Sequence, residues 1–181
     1  MPDTHDLLSN DVELIARRLE QGLDPNTTVD GGTEGVTLLA AHCFLGHPTI
    51  VQRLLQHGAD PDRGRGTSGE TPLHHALAGG GGDQYQLQII NALLAARANP
   101  NKACGTGVVT ANFMIAAKVR GERPLHRAAA YSSIAVIRTL LVAGAEPDVR
   151  DANGDSPLTW GSLHRRDTDI LRLLCFGDYQ M

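Results

Sequence analysis

Four stretches of this 181-residue chain begin alike: "VTLLAAHCFLGHPTIVQRLLQHGADPD", "ETPLHHALAGGGG", "ERPLHRAAAYSSIAVIRTLLVAGAEPD" and "DSPLTWGSLHRRDTDILRLLCFG". With Thr37, Thr71, Arg123 and Ser156 taken as equivalent, the first and last steps share one short period, and the pairs Leu54-Leu55, Leu140-Leu141 and Leu173-Leu174 stand at the same offset in their units. A unit this short cannot bury its own apolar face, so the period demands a stack in which neighbours share one core. Only the unit at Thr71 breaks the register. Its leucine pair, Leu93-Leu94, comes late by five positions, which places an insertion around "GGGGDQYQ", and a longer one lies between Asn101 and Arg123.

The wording of the units is specific. "ETPLHHA" and "ERPLHRAAA" carry a T-P-L-H start intact or nearly so, "GHPTIVQRLLQHGADPD" supplies a second helix and its following turn, and the copies keep register over nearly the whole chain. On these residues the sequence resembles the ankyrin-repeat family. The resemblance implies an all-α solenoid of stacked helix-turn-helix units with projecting β-turn loops, about five repeats, forming a single domain over 1–181. The expected divisions are an N-terminal capping repeat at 1–30, a second repeat at 31–64, a third at 65–117 with insertions at 79–86 and 102–121, a fourth at 118–150, and a C-terminal cap at 151–181. "DVELIARRLEQGLDPN" aligns with "PTIVQRLLQHGADPD" on Gly22 and Gly58, so the first repeat is degenerate, with "DTHDLLS" as its short first helix. "CFGDYQM" is too short for a further repeat, and the chain is expected to be complete there.

One unit can be read from local chemistry alone. Pro72, Pro124 and Pro157 sit at the first helical position, where no N–H is needed, and Thr71 or Ser156 supplies a capping oxygen that Arg123 cannot. Leu73, Ala76 and Leu77 face inward at helical spacing, and Ala128 and Ala129 allow close approach of neighbouring helices. A second helix such as Ile134 to Val142 ends at Gly144, and "RDANGD" turns the chain back through Asn153 and Gly154. "GRGTSG", Gly64 to Gly69, is a literal G-x-G-x-x-G, but a helix end rather than a strand precedes it, which is the wrong context for a dinucleotide. It occupies the place of "VRDANGD", so its glycines are expected to serve turn geometry.

Several function classes lose support. Sixteen Lys and Arg against 20 Asp and Glu give a net charge of −4 without a dense basic run, which disfavours nucleic acid. Apolar residues make up 41% of the chain but aromatics only 4%, so the core is expected to be Leu, Ala, Ile and Val. Cys43, Cys104 and Cys175 are odd in number and widely spaced, which fits a reducing compartment better than disulfides or zinc. No apolar run approaches the roughly 18 residues of a membrane span, and "MPDTHDLLSN" is not a leader, so a soluble cytoplasmic protein is expected. The sequon at Asn26 is then a coincidence. No G-x-S-x-G, H-E-x-x-H or P-loop occurs, and neither catalysis, a metal nor a cofactor is expected.

His74 and His75 are adjacent and point about 100° apart on a helix, a poor grip for one ion. The family resemblance implies instead that His74 and His126 tie the backbone and hydroxyl groups of neighbouring turns together. His42-Cys43 falls on close-packed positions, where an inert thiol is expected. The same resemblance places function on turn tips and the exposed side of the first helices, giving partner-binding candidates Val36, Phe44, Leu45, Glu70, Phe113, Glu122, Tyr131, Asn153, Asp155 and His164, with Thr67, Ser68 and Leu163 beside them. Phe44, Leu45 and Tyr131 stand out because exposed aromatic and apolar side chains anchor interfaces; partial burial against the next repeat is the competing reading. In the insertion, "TANFMIAAKV" reads as a short helix capped at Thr110 that folds over neighbouring repeats as a lid or meets a partner. The expected function is a monomeric, non-catalytic module that binds a protein partner as adaptor, scaffold or inhibitor. Two alternatives stay open: a small-ligand or enzymatic site between the insertion and the concave face using His126, Cys104 or Lys118, and a self-associating structural protein using Phe44 and Tyr131.

Overall fold

A computed structural model describes residues 4–29, 35–79, 81–109 and 118–177. Helices come in pairs along the chain: α1 (Thr4–Leu7) with α2 (Val12–Glu20), α3 (Leu38–Leu45) with α4 (Pro48–Gln56), and α5 (Pro72–Ala78) with α6 (Gly82–Ala95). After a two-stranded hairpin, β1 (Thr106–Val109) and β2 (Lys118–Arg120), come α7 (Pro124–Tyr131) with α8 (Ile134–Val142) and α9 (Pro157–Leu163) with α10 (Thr168–Phe176). The first helices stack in a row, α3 on α5, α5 on α7 and α7 on α9, while α2, α4, α6 and α8 form the second row. The expected all-α solenoid is the fold. Its core lies between the rows, with Leu39, Leu73, Leu77 and Leu125 meeting Ile50, Leu54, Ile89, Leu93, Ile137 and Leu140, all fully buried.

Local chemistry sets each helix start. The Thr37 hydroxyl accepts from the Ala40 N–H at 3.1 Å and that of Ser156 from the Thr159 N–H at 3.2 Å. At the two starts bearing histidine the ring does the work: Nδ1 of His74 accepts from the Thr71 N–H, and Nδ1 of His126 from the Arg123 N–H, each at 3.2 Å. That fixes the proton on Nε2, which donates onward to Glu122 O at 3.3 Å from His74 and to Asp155 O at 3.1 Å from His126. Each histidine thus ties one helix start to the turn ahead of the next first-row helix, as the resemblance implies.

A second ladder runs through the turns after the second helices. Asn26 takes the Asp60 N–H on its amide oxygen and reaches Gly58 O; Asp62 accepts the Asn99 N–H; Asn101 accepts the Glu146 N–H and donates to Gly144 O. The Asn26 sequon side chain is therefore committed to the stack. Ahead of these turns Gly22, Gly58 and Gly144 adopt left-handed backbone with φ near +90°, whereas the equivalent Arg97 does so at φ 68° with a side chain.

The insertions go elsewhere than expected. Helix α6 has 14 residues against nine in α4, α8 and α10, so the five extra residues lengthen the helix and not the loop before it. The loop stays tight because Gly79 lies on the backbone of Phe44: a Cβ there would sit 2.7 Å from Phe44 Cα. In the second insertion the helix expected through Val119 meets a strand at its described end. Lys118 to Arg120 run antiparallel to Thr106 to Val109, with Thr106 opposite Arg120, and Val119 is buried. Thr110 and the rest of that expected helix up to residue 117 lie outside the described residues. The hairpin base is stitched to its neighbours by Gly105 N–H to Ser68 O at 2.8 Å and Ala152 N–H to Arg120 O at 2.7 Å, so it lengthens a projecting turn. The "GRGTSG" glycines likewise make a turn, closed by the Arg65 and Glu70 bridge, with Gly69 at φ 62°.

Candidate protein-binding face

The fifth position of each unit decides what lies under the projecting turns. It is Ala41, His75, Arg127 and Trp160 in successive units, and all four are buried. Arg127 is held between two carboxylates: Nη2 lies 2.6 Å from Glu70 Oε1 and 2.7 Å from Glu122 Oε1, Nε bonds the same Glu122 oxygen, and Nη1 reaches His74 O. Glu122 Oε2 accepts the Arg120 N–H at 2.7 Å, and the Ser68 hydroxyl donates to Glu70 Oε2 at 3.2 Å. Burial works against the Arg127 charge, but the neighbouring Cys104 thiol and the two carboxylates outweigh it and move its pKa upward. Glu70 and Glu122 were expected at exposed turn tips, as was Ser68. All three are buried because Arg127 draws the carboxylates inward and fastens one turn to the next.

His75 lies beside this cluster with its Nε2 without a hydrogen-bond partner; burial lowers its pKa to about 4 against the pull of Glu70, with Arg127 and Arg65 opposing protonation. Cys104 and Cys43 are free thiols whose pKa values burial pushes up, so neither is a ready nucleophile. Among the described residues no group of three or more metal-ligating side chains gathers.

At the next boundary the fifth-position residue is Trp160. Its Nε1–H donates to Asp151 Oδ2 at 3.1 Å, the Arg120 guanidinium sits 4.9 Å over its ring, and His126 meets it edge-on. Arg120 also pairs with Asp151 at 3.8 Å and Asp155 at 3.7 Å. Asp151 gathers the turn by accepting the N–H groups of Asn153 and Asp155. Asn153 is exposed and Asp155 half-buried, its carbonyl taken by His126. His164 donates from Nδ1 to Trp160 O at 2.8 Å, which leaves Nε2 to accept the Tyr131 hydroxyl at 3.0 Å.

The candidates fall into three groups. Tyr131 and His164 are brought together and remain exposed, with Leu163 beside them. Leu45 is exposed at the end of α3 next to the half-buried Phe44, while the half-buried Val36 lies ahead of the start of that helix; α5 stands between α3 and α7, which ends at Tyr131. Glu70 and Glu122 belong to the Arg127 cluster. Phe113 lies outside the described residues. Arg127, Arg120, Asp151 and Trp160 were not anticipated, although an arginine among alanines in "HRAAA", with glutamate just ahead of two first helices, carries the signal of a buried pair.

Two family models cover this architecture: ankyrin repeats (3 copies) over residues 7–104 and ankyrin repeats (many copies) over 125–174. The chain belongs to the ankyrin-repeat family. Between the two matches lie β1 and β2. The chain is also 31% identical over 139 residues to the mouse (Mus musculus) B-cell lymphoma 3 protein homolog, covering 77% of this chain and 27% of that protein, so it spans about a quarter of that relative's length. No helix among the described residues is long and apolar enough to cross a membrane.

Proposed function

We propose that this chain is a non-catalytic protein-interaction module, an adaptor, scaffold or inhibitor that takes a protein partner on the face formed by the first helices and the projecting turns. One observation carries the reading. Leu45, Tyr131 and Leu163 stay 41%, 51% and 65% exposed at the ends of three first helices, while the other exposed large apolar side chains among the described residues, Tyr85, Val142 and Phe176, lie on second helices. Tyr131 is pre-positioned by His164 and by the edge-on packing of the two rings, so little freedom is lost when a partner covers it. Phe44 at the end of α3, and Val36, Asn153 and Asp155 in the turns ahead of α3 and α9, are read as part of the proposed surface; Glu70 and Glu122 are read as serving it by holding the turns in place. The module is read as a cytoplasmic monomer, in keeping with its free thiols.

The test is capture from native lysate with the wild-type chain beside a Phe44→Ala, Tyr131→Ala double variant of unchanged helicity. A protein retained by the wild type and lost by the variant supports the reading. Equal retention moves the contact elsewhere, and a chain that retains no protein but gains thermal stability from a metabolite contradicts it.

A further inference from the structure

The sixth position of each unit is small where first helices pack against one another: Ala76, Ala128 and Gly161. At the second unit it is His42, fully buried. The preceding first helix explains how a ring fits. Helix α1 is only four residues, Thr4–Leu7, and the imidazole fills the room it leaves. Its Nε2 lies 2.8 Å from the carbonyl of Leu7, an oxygen at the helix end with no partner inside the helix, so Nε2 carries the proton and donates. The neutral ring then has only a lone pair on Nδ1, and His47 Nδ1 lies 2.9 Å away and must donate into it.

This relay, His47 to His42 to Leu7, is built around a neutral His42. A second proton on His42 would place a charge in a contact sealed from water, and His47 would have to shift its own proton from Nδ1 to Nε2 to keep the bond. We infer that the His42–His47 pair is a proton-operated catch on the N-terminal helix pair, closed at neutral pH and released by acid ahead of the rest of the stack. The end unit is where such a cost is relieved most cheaply, because it has a neighbour on one side only. Among the described side chains on the surrounding elements, Asp6 on α1, Glu13 and Arg17 on α2, His47 at the head of α4, and His74 and His75 on α5, His47 alone acts on His42 by its charge, and it opposes protonation. Burial is the larger cause and brings the His42 pKa down to about 4; burial lowers that of His47 as well.

The inference does not depend on the partner-binding reading. It is tested by amide hydrogen exchange on the full chain at pH 7.5 and pH 5, with protection factors corrected for intrinsic rates. A ring that moves from a pKa of about 4 when docked to 6.5 when free opens the catch roughly thirtyfold more often at pH 5 than at neutral pH. The α2 amides of the wild type are expected to lose protection by that factor. In His42→Gln, which keeps a donor for Leu7 and leaves only the less buried His47 ring to titrate, they are expected to lose far less. His47→Gln removes the ring that opposes protonation of His42 and should lessen the loss, which keeps the test open if the first variant does not fold. Undiminished protection in the wild type at pH 5, or an equal loss in either variant, would overturn it.

Discussion

Two boundaries in this stack use the same bond and finish it differently. His74 reaches Glu122 O across 48 residues, and His126 reaches Asp155 O across 29. The longer span takes in both insertions, yet the geometry of the tie is unchanged. Extra chain is tolerated because it leaves the stack at its two ends, as added turns of α6 and as a hairpin beyond the helix start, where little else has to move. What differs is the reinforcement. The boundary that carries the insertion is fastened by a buried ion cluster on Arg127, and the regular one by Trp160 under a half-exposed Arg120. A lengthened turn gains from a firm base, and the buried carboxylates supply it.

That contrast can be broken from either side. Arg127→Met removes the cation that the buried Glu70 and Glu122 share, and urea unfolding should register a loss of about 3–5 kcal/mol. Arg120→Met at the other boundary, where a half-exposed guanidinium makes long pairs of 3.7–3.8 Å and Asp151 keeps its Trp160 and backbone donors, should cost no more than about 1 kcal/mol. Equal costs would erase the distinction. Next comes Gly79→Ala, which drives a methyl group into the Phe44 backbone; a loss of about 1–3 kcal/mol is expected, seen as a lowered Tm with the fold retained.

Acid should weaken both boundaries in the same direction. Burial lowers the pKa values of His74, His75 and His126, so these rings are neutral in the folded chain and gain protons on unfolding. Their contribution is complete above the unfolded value of 6.5 and is lost as pH falls below it, continuing toward about 4 for His75. Between pH 7.5 and 5 His75 alone is worth roughly 1–2 kcal/mol, and the urea midpoint should fall accordingly. The smallest effect sharpens the account of the turns: Arg97→Gly, matching Gly58 and Gly144, should stabilise by about 0.5–1 kcal/mol because the left-handed backbone no longer carries a Cβ.

How much of this was legible depended on the range of the interaction. The period, the proline starts and the glycine stops are set by residues within a turn or two of one another, and the sequence states them directly, whereas the roles of His74 and His126, whose ties span 48 and 29 residues, came from the family resemblance. The fate of the five-residue insertion did not follow from "GGGG" because its second half, from Asp83 to Gln86, is the first turn of α6, where Gln86 is drawn in by Ala76 O. The hairpin was missed because the window around Lys118 to Arg120 reads as helix, while the backbone partners that make it a strand, Thr106 and Ala152, lie in other turns. Glu70 and Glu122 were read as exposed because their position in the unit is a turn, and the arginine that buries them lies 57 residues from one of them. On the face itself, the alignment found Tyr131 and His164 singly and did not foresee their bond.

The central claim is that the stack is complete without its insertion. It is tested most directly by replacing residues 107–119 with Asn-Gly, a two-residue turn that joins the opposed Thr106 and Arg120, and following urea unfolding by circular dichroism. The account predicts a single cooperative transition with native helicity and a loss of no more than about 2 kcal/mol, the order expected for exposing the buried Val119. A chain that loses helicity or cooperative unfolding would show that the hairpin is part of the core and contradict it.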